Sequence, residues 1–422
     1  VYNNLMNISF PVFTRINEIL FKKKNLSSAL IKAKEDTLVS PSDEPEIKKE
    51  AYVFLRHFFS LRFECSDLLS QYDYESSEFI LSMVTLSQLR YSSLRKEEIS
   101  AEYQDVFCRL KLSGDSQKNR EILIESTSRP FHIPEEVKSS PYYYNSLVLE
   151  RPEFLFRRFD AEFGASRTLS MFSSRRKKPL FYYSSMMGEN SLPSSLKKEQ
   201  DVGPYPLFSS SSPLHLEILA EKKLYPCSPL QLTAYSLPEL PQVSPKVLRN
   251  GRNDSFSFLP LAISRKDDYQ PTRIADYFGP AFAKAKKNVE VFGLKDVTIL
   301  NCESKLLKTY YPYDSFDLSV EWGKDSGLGC VGSKPWLLPS LTPDDLKDSQ
   351  KRQLLSLRER AEFVKSKGYL LFVNHGLLKE ETSDIVKQFV ERNSRFELVK
   401  ETISIPERGN QEGGYIALLS KK

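Results

Sequence analysis

Apolar residues recur at helical spacing through the first 125 residues of the chain. The segments INEILFKKKNLSSALIKA, AYVFLRHFFSLRF and SSEFILSMVTLSQLRYSSL each place apolar side chains three or four positions apart, which is the period of an amphipathic helix. Polar stretches such as SPSDEPE separate them, as expected of loops. The pattern predicts an all-α domain over residues 1–125, and by itself it fits a generic helical bundle.

The pattern changes to alternating strands and helices in residues 223–422. Short runs of apolar and aromatic residues are followed by segments with helical periodicity, which is the order found in βαβ units. This order predicts an α/β domain in which helices flank a mostly parallel sheet. Its strands are expected near residues 297–300, 316–321, 369–373 and 414–419.

A segment without apolar periodicity follows the helical region. The stretch STSRPFHIPEEVKSSPYYYN is rich in proline, serine and charged residues, which is typical of a loop or linker. We therefore expect a linker over residues 126–144 and a further small domain over residues 145–222, before the α/β domain.

Composition narrows the possible classes of function. Hydrophobic residues make up 40% of the chain and charged residues 27%, and 60 Lys+Arg against 55 Asp+Glu give a formal net charge of +5. These values are ordinary for a globular protein and are compatible with RNA contact. No apolar run approaches the roughly 18 residues of a membrane helix, and VYNNLMNISF lacks the basic region of a signal peptide. We expect a monomer that contacts no membrane, in a bacterial-type cytoplasm or, alternatively, in a mitochondrion.

The cysteines and histidines show no metal-ligand spacing. Five cysteines and four histidines are scattered along the chain without a CxxC pair, so the sequence predicts no metal site. Isolated cysteines in odd number also favour a reducing compartment.

The most informative stretch is DSFDLSVEWGKDSGLGCVGSKPW, residues 314–336. Phe316, Leu318 and Val320 alternate with polar residues, which predicts a strand, and a loop with four glycines follows. A strand that ends in a glycine-rich loop places functional groups at the carboxyl edge of a sheet, where α/β proteins hold their ligands.

This stretch resembles the RsmB/Sun family of RNA cytosine-5 methyltransferases. The family sequence FDxxLxDAPCSGxG aligns without a gap on residues 316–329, and GGxLVYxTCSxxxxEN aligns on GYLLFVNHGLLKEET, residues 368–382. The resemblance implies a multidomain protein: an N-terminal NusB-like bundle, a small α+β RNA-contacting subdomain at 145–222, and a Rossmann-like methyltransferase domain at 223–422. It also implies S-adenosylmethionine as cofactor and ribosomal RNA as partner.

The residues that carry out the family's chemistry differ in this chain. A cysteine thiolate must add to C6 of cytosine before C5 can accept a methyl group, because C5 alone is a poor nucleophile. The two family cysteine positions hold Asp325 and His375, and the aspartate position of DAPC holds Trp322. The resemblance therefore implies an inactive site. Cys330 could act as a displaced nucleophile, but five residues of loop are expected to carry it on the order of 10 Å from the family position.

The cofactor positions are also altered. The resemblance assigns cofactor contacts to Asp276 and Glu303, and the spacing from Asp276 to Asn288 and Gly293 agrees with the family. The family's AAPGGKT turn, however, falls on a segment with a single glycine, Gly251. Side chains there would crowd the cofactor, so we expect that S-adenosylmethionine does not bind.

A basic and aromatic surface is predicted in the second domain. Four cations precede the aromatic residues of strand FYY at 181–183, and two arginines lie upstream; phosphate and stacked bases are the partners such a surface binds. The alternative is a basic loop beside a buried strand. The candidate RNA-binding residues are Arg157, Arg158, Arg175, Arg176, Lys177 and Lys178.

Three hypotheses for function follow. The first is an inactive family member that binds ribosomal RNA or acts in ribosome assembly. The second is an active S-adenosylmethionine-dependent ribosomal RNA cytosine-5 methyltransferase with an altered site. The third is an antitermination-type scaffold that acts through the bundle at 1–125. Cofactor binding distinguishes the first two, and RNA binding by residues 1–125 tests the third.

Overall fold

The computed structural model divides into two compact units. The first, the helical unit, comprises Val1–Ser173 and Lys334–Thr342, and the second, the sheet unit, comprises Ser174–Ser333 and Pro343–Lys422. The structure describes residues 8–23, 29, 40, 42–173, 181–185, 192–202, 205–210, 214, 216–240, 246–250, 273–277, 282–294, 297–331, 334–406 and 412–422.

The helical unit confirms the helices predicted from apolar periodicity where the structure describes them, while residues 24–28 and 30–33 of the first predicted segment lie outside the described residues. Its helices are α1 (Ser9–Lys22), α2 (Glu44–Arg56), α3 (Phe58–Leu68), α4 (Ser77–Tyr91), α5 (Lys96–Arg109), α6 (Ser116–Ser126), α7 (Glu135–Lys138), α8 (Pro141–Leu149), α9 (Glu153–Phe163) and α10 (Ala165–Ser173). Apolar residues of α1 to α6, such as Ile16, Phe54 and Leu81, are buried together in one core. Burial of such side chains is the main stabilising contribution to a bundle. The NusB-like character of this bundle stays a prediction.

Buried carboxylates fix the ends of helices in this unit. Glu102 of α5 accepts hydrogen bonds from the backbone N–H groups of Ile8 and Ser9, at 3.1 and 2.8 Å. These are N–H groups at the start of α1, which have no partner inside the helix. The carboxylate therefore holds the start of α1 against α5.

Two helices lie in or across the segment predicted as a linker. Its prolines precede or begin helices: Pro134 caps α7, and Pro141 is the first residue of α8. Proline is well tolerated in the first turn, where its missing N–H would be unpaired anyway. The described residues up to Ser173 belong to the helical unit, so the compact units do not divide at residue 144. The domain boundaries given above stay predictions.

The end of the motif at 314–336 also belongs to the helical unit. Residues Pro335–Leu337 form a short 3₁₀ turn, and Trp336 packs against the apolar core of the bundle. Residues 314–333 of the same motif lie in the sheet unit. The chain thus contributes one continuous motif to two units.

The sheet unit contains a small antiparallel sheet and a large mixed one. The small sheet has the order β2-β3-β1-β4, and the large sheet has the order β10-β11-β9-β8-β5-β6-β7. The strands are β1 (Phe181–Ser185), β2 (Lys197–Val202), β3 (Tyr205–Ser210), β4 (Leu224–Pro226), β5 (Lys246–Asn250), β6 (Arg273–Tyr277), β7 (Val297–Leu300), β8 (Phe316–Trp322), β9 (Val364–Asn374), β10 (Phe396–Ser404) and β11 (Gly414–Lys421). All four predicted strands are confirmed.

Five strands of the large sheet are parallel. β5 to β9 pair parallel, while β11 pairs antiparallel with β9 and with β10. Numbered by their own succession, the parallel strands have the order 3-2-1-4-5, which is that of a Rossmann-type sheet. The mostly parallel α/β domain predicted from sequence is therefore confirmed.

Helices cover both faces of this sheet. In β9, Leu371 and Val373 join one core and Leu370 and Phe372 join another, so neighbouring residues point to opposite faces. The helices of the sheet unit are α11 (Leu216–Glu221), α12 (Pro229–Tyr235), α13 (Phe282–Val291), α14 (Pro343–Ala361) and α15 (Ser383–Glu391). Among the described helices, none has both the length and the apolar character needed to cross a bilayer.

Candidate functional site

Two loops meet at the carboxyl edge of the large sheet. β8 ends at Trp322 and β9 ends at Asn374, and Trp322 lies opposite Val373 in the parallel pairing of these strands. The strand order reverses between β5 and β8, and ligands of open α/β sheets bind at such a reversal. The loops after β8 and β9 therefore lie side by side at the expected position of a site.

Asp325 joins these two loops. Its Oδ1 accepts a hydrogen bond from the backbone N–H of Gly327 at 2.6 Å, and its Oδ2 accepts one from the backbone N–H of His375 at 2.8 Å. Gly327 has a φ of 71°, a left-handed conformation that favours glycine. Asp325 occupies the position of the first family cysteine, and its carboxylate connects that loop to the loop of the second.

Glu381 holds the next residue of the same loop. The backbone N–H and the hydroxyl of Ser326 donate to its two carboxylate oxygens, at 2.8 and 2.6 Å. Glu381 is fully buried, and this burial, together with the nearby Asp325 carboxylate, raises its pKa to about 7 although Ser326 and Ser349 act to lower it. Glu381 aligns with the acidic residue of the second family motif. The resemblance therefore includes a buried residue that holds the loop after β8.

Asn374, the last residue of β9, holds the loop after β9 in place through its side-chain amide. Its amide nitrogen donates to Gln353 Oε1 at 2.9 Å and to the backbone carbonyl of Glu381 at 2.6 Å. Its Oδ1 accepts a hydrogen bond from the N–H of Gly376 at 3.0 Å. These contacts fix the chain on both sides of His375, so its backbone position is well determined.

Trp322 forms an apolar wall where the family has an aspartate. Its indole N–H donates to the hydroxyl of Tyr235 at 3.4 Å, and its ring centroid lies 6.0 Å from that of His375. An indole is a donor only, so it cannot accept a hydrogen bond from a cytosine amino group. The structure thus brings Asp325, His375 and Trp322 to the same edge of the sheet, and their roles as a site stay a prediction.

The structure also brings in a residue that the sequence argument placed elsewhere. The Cys330 thiol and an imidazole nitrogen of His375 lie within 4.8 Å of each other, because a 3₁₀ turn at Leu328–Cys330 folds the loop back. Cys330 was expected on the order of 10 Å from the position of Asp325 because five residues of loop separate them. The loop instead returns to His375, at the second family cysteine position, and the glycines are the one sequence signal for that turn.

Three side chains of metal-ligand type cluster around His375. One donor atom from each of Cys330, His375 and Glu412 lies within 4.8 Å of the others. The sequence predicted no metal site, because these ligands are far apart in the chain and form no short motif. What they share is position: two follow parallel strands, and Glu412 precedes the antiparallel strand β11, so all three reach the same edge of the sheet.

The predicted cofactor residues lie at neighbouring strand ends. Asp276 is the fourth residue of β6, where only its backbone is described, and Glu303 follows β7. The Glu303 side chain is 70% exposed and pairs with Lys305 at 2.7 Å; that hydrogen bond lowers its pKa.

The prediction that S-adenosylmethionine does not bind in the family manner concerns the residues after β5. β5 ends at Asn250, so the family's cofactor turn would begin at Gly251. Residues 251–272 lie outside the described part of the chain, and Gly251 is their one glycine. A close approach of backbone to ligand needs residues without a Cβ, and this chain does not supply them there.

The predicted RNA-binding residues are only partly described. Arg157 of α9 is exposed, pairs with Glu153 at 2.6 Å and lies 4.7 Å from the Tyr142 ring centroid, while its neighbour Arg158 is half-buried. The cations at 175–178 lie outside the described residues. In β1, which follows them, Phe181 is exposed but Tyr183 is buried, so of these two aromatic residues Phe181 is the one available for stacking.

Comparisons with known proteins support the fold. No family model matches the sequence, and no curated protein matches it. Among solved structures, PH0851 matches with a TM-score of 0.73 and 15% identity over 100% of both chains. A methyltransferase homologue from Pyrococcus horikoshii matches with a TM-score of 0.54 and 15% identity over 67% of this chain and 99% of its own. NSun6 from Pyrococcus horikoshii matches with a TM-score of 0.55 and 12% identity over 64% of this chain and 98% of its own. The chain has the fold of these solved structures, with a Rossmann-like α/β domain at its carboxyl-terminal side.

Proposed function

We propose that this chain is an RNA-binding protein built on the fold of the RNA cytosine-5 methyltransferases, and that it does not itself methylate RNA. Its partner is ribosomal RNA, and its role is binding or assembly of the ribosome. The gapless resemblance at 316–329, the Rossmann-like strand order and the similarity to NSun6 support the choice of family.

The observation that carries this proposal is the double hydrogen bond of Asp325. Each oxygen of this carboxylate accepts a backbone N–H group, and these hydrogen bonds draw electron density from the carboxylate and fix it between the two loops. A carboxylate is also a far weaker nucleophile than a thiolate toward a pyrimidine ring. The position that attacks or assists in the family therefore serves here to join two loops.

Trp322 supports the same conclusion for the substrate base. In the family an aspartate at this position hydrogen-bonds the flipped cytosine. Here the indole N–H is directed to Tyr235, and the ring lies beside His375. Trp322 offers no acceptor, so this position lacks the group that would select cytosine and stabilise the developing charge. In related cases such a group contributes about 3 kcal/mol.

A second candidate function is methylation with Cys330 as a displaced nucleophile. The observation that favours it is the closeness of the Cys330 thiol to His375, since a neighbouring imidazole activates a thiol. Against it stands burial: Cys330 is 1% exposed. A nucleophile must reach the C6 atom of a base, and burial of this sulfur opposes that approach.

Two titrations of the purified protein test the proposal. Fluorescence anisotropy with a ribosomal RNA fragment is expected to show binding that weakens as salt rises, because phosphate contacts release counterions. Calorimetry with S-adenosylmethionine is expected to show no binding heat. Binding of the cofactor would support the second candidate, and failure to bind any ribosomal RNA would contradict the first.

A further inference from the structure

Three segments of the sheet unit converge on one small cluster of donor atoms. Cys330 lies in the 3₁₀ turn after β8, His375 follows β9 directly, and Glu412 precedes β11. The thiol, one imidazole nitrogen and one carboxylate oxygen lie within 4.8 Å of one another. They are contributed by three separate parts of the chain, so their proximity is a product of the fold.

Backbone hydrogen bonds beside each of these residues hold the three segments together. The N–H of Gly329 donates to the carbonyl of His375 at 2.6 Å, and the N–H of Gly413 donates to the carbonyl of Gly329 at 2.9 Å. A Cβ on Gly329 would lie 2.1 Å from the Gly413 carbonyl oxygen, so only glycine allows this approach. The three side chains are thus set in place by their sequence neighbours.

The imidazole of His375 is oriented by the same backbone. Its Nδ1 lies 3.3 Å from the carbonyl oxygen of Gly413. An imidazole that donates from Nδ1 carries its lone pair on Nε2. Proteins commonly orient metal-binding histidines by such a hydrogen bond to a carbonyl.

The cluster is enclosed and rich in negative charge. Cys330 is 1% exposed, and the Trp322 ring lies on the side of His375, with ring centroids 6.0 Å apart. The Glu412 carboxylate belongs to the cluster itself, and the Asp325 carboxylate is hydrogen-bonded to the backbone of His375. These acidic groups favour a positive charge in the cluster.

We propose that Cys330, His375 and Glu412 bind a zinc ion. Thiolate, imidazole and carboxylate are the three ligand types that Zn²⁺ takes in proteins, and three protein ligands with one position left to water are common. The zinc would link the loops after β8 and β9 to the segment before β11. The inference stands apart from RNA binding and concerns only these residues of the sheet unit.

The separations of the donor atoms are compatible with this assignment. Zinc bonds of about 2.3 Å to sulfur and about 2.0 Å to nitrogen or oxygen place tetrahedral ligand atoms roughly 3.3 to 3.6 Å apart. The donors here lie within 4.8 Å of one another, so inward shifts of about an ångström bring them to a shared ion. The burial that argues against Cys330 as a nucleophile does not hinder a metal ligand.

The direct test is zinc and cobalt binding by the full chain. Metal-free protein titrated with Zn²⁺ is expected to bind about one ion per chain at this site. Co²⁺ in place of zinc is expected to give a thiolate-to-metal charge-transfer absorption, which only a cysteine ligand produces. Cys330→Ser is expected to abolish that absorption and weaken zinc binding by about 100-fold or more, since even changes beyond the ligands cost 10- to 100-fold.

Matched variants separate this site from others. Cys302→Ser removes a half-buried cysteine elsewhere in the sheet unit and is expected to leave the absorption and the affinity unchanged, whereas Glu412→Gln is expected to weaken zinc binding. If Cys330→Ser does not fold, the cobalt spectrum of the unmodified chain still decides. A spectrum without charge transfer, no zinc binding, or equal binding by Cys330→Ser would overturn the proposal, as would a covalent RNA adduct at Cys330.

Discussion

The backbone N–H of His375 donates to the Asp325 carboxylate at 2.8 Å, and this hydrogen bond joins the loop after β8 to the loop after β9. The second oxygen of the same carboxylate accepts from Gly327. The acidic residue at the first cysteine position is therefore a part of the framework, and its removal has consequences for stability.

Asp325→Ala is expected to lower the free energy of unfolding by about 2 to 6 kcal/mol, because it leaves two backbone N–H groups without their acceptor at about 1 to 3 kcal/mol each. Urea denaturation followed by circular dichroism measures the change. Asp348→Ala, at an exposed aspartate in α14, serves as control and is expected to change stability by less than about 0.5 kcal/mol. Equal effects of the two substitutions would show that Asp325 does not hold the loops.

Glu381 is expected to make stability depend on pH. Its pKa is raised from 4.5 to about 7 in the folded chain, so the folded state keeps a proton that the unfolded state loses. The stabilisation is complete below pH 4.5 and is lost as the pH rises to about 7, by roughly 3 kcal/mol. Urea denaturation of the unmodified chain and of Glu381→Gln at several pH values measures it.

The unmodified chain should lose more stability than Glu381→Gln across this range, because glutamine does not titrate. Glu303→Gln, at a side chain that is 70% exposed, is the control and should follow the unmodified chain. Parallel curves for the unmodified chain and Glu381→Gln would contradict the assignment.

A buried ion pair under the site gives a third prediction. Arg360 Nε lies 3.8 Å from Glu321 Oε2, and both side chains are 0% exposed. Arg360→Met leaves the glutamate charge buried and is expected to destabilise the chain by about 3 to 5 kcal/mol. Adding Glu321→Gln should recover part of this loss. A double-mutant cycle in urea measures the coupling, and strictly additive effects would refute it.

The basic run at 175–178 gives a prediction for RNA binding. Changing Arg175, Arg176, Lys177 and Lys178 to Ala together is expected to weaken binding and to reduce the log–log salt slope by up to about 3 for a single strand. Anisotropy titrations at several salt concentrations measure both. Lys347→Ala with Lys351→Ala, at exposed lysines paired with aspartates in α14, is the control. An unchanged slope in the fourfold variant would exclude this surface.

Periodicity was sufficient to predict four of the seven strands described in the large sheet. Apolar side chains alternate in residues 316–321 and form a continuous run in residues 369–373, and they are buried on the faces of the sheet. A local pattern of this kind is enough to predict a strand. The same is true of the helices around Ile16 and Leu81, whose apolar faces form the bundle core. These are short-range properties of the chain.

Periodicity could not predict which loops meet. Cys330 reaches His375 because a 3₁₀ turn reverses the loop, and Glu412 reaches both because β11 runs antiparallel to β9. Both depend on contacts between residues far apart in sequence. Pro141 begins a helix inside the segment predicted as a linker, and sequence alone does not distinguish the two because proline marks the start of a helix as readily as a loop.

The central claim is the absence of methyl transfer, and the most direct measurement is incorporation of label from S-adenosylmethionine into ribosomal RNA by the purified chain. The account predicts incorporation no higher than without protein, for the unmodified chain and equally for Asp325→Cys. The added thiol would still lack the aspartate replaced by Trp322 and the glycine turn for the cofactor. Labelled 5-methylcytosine formed by the unmodified chain and lost in Cys330→Ser would contradict the account.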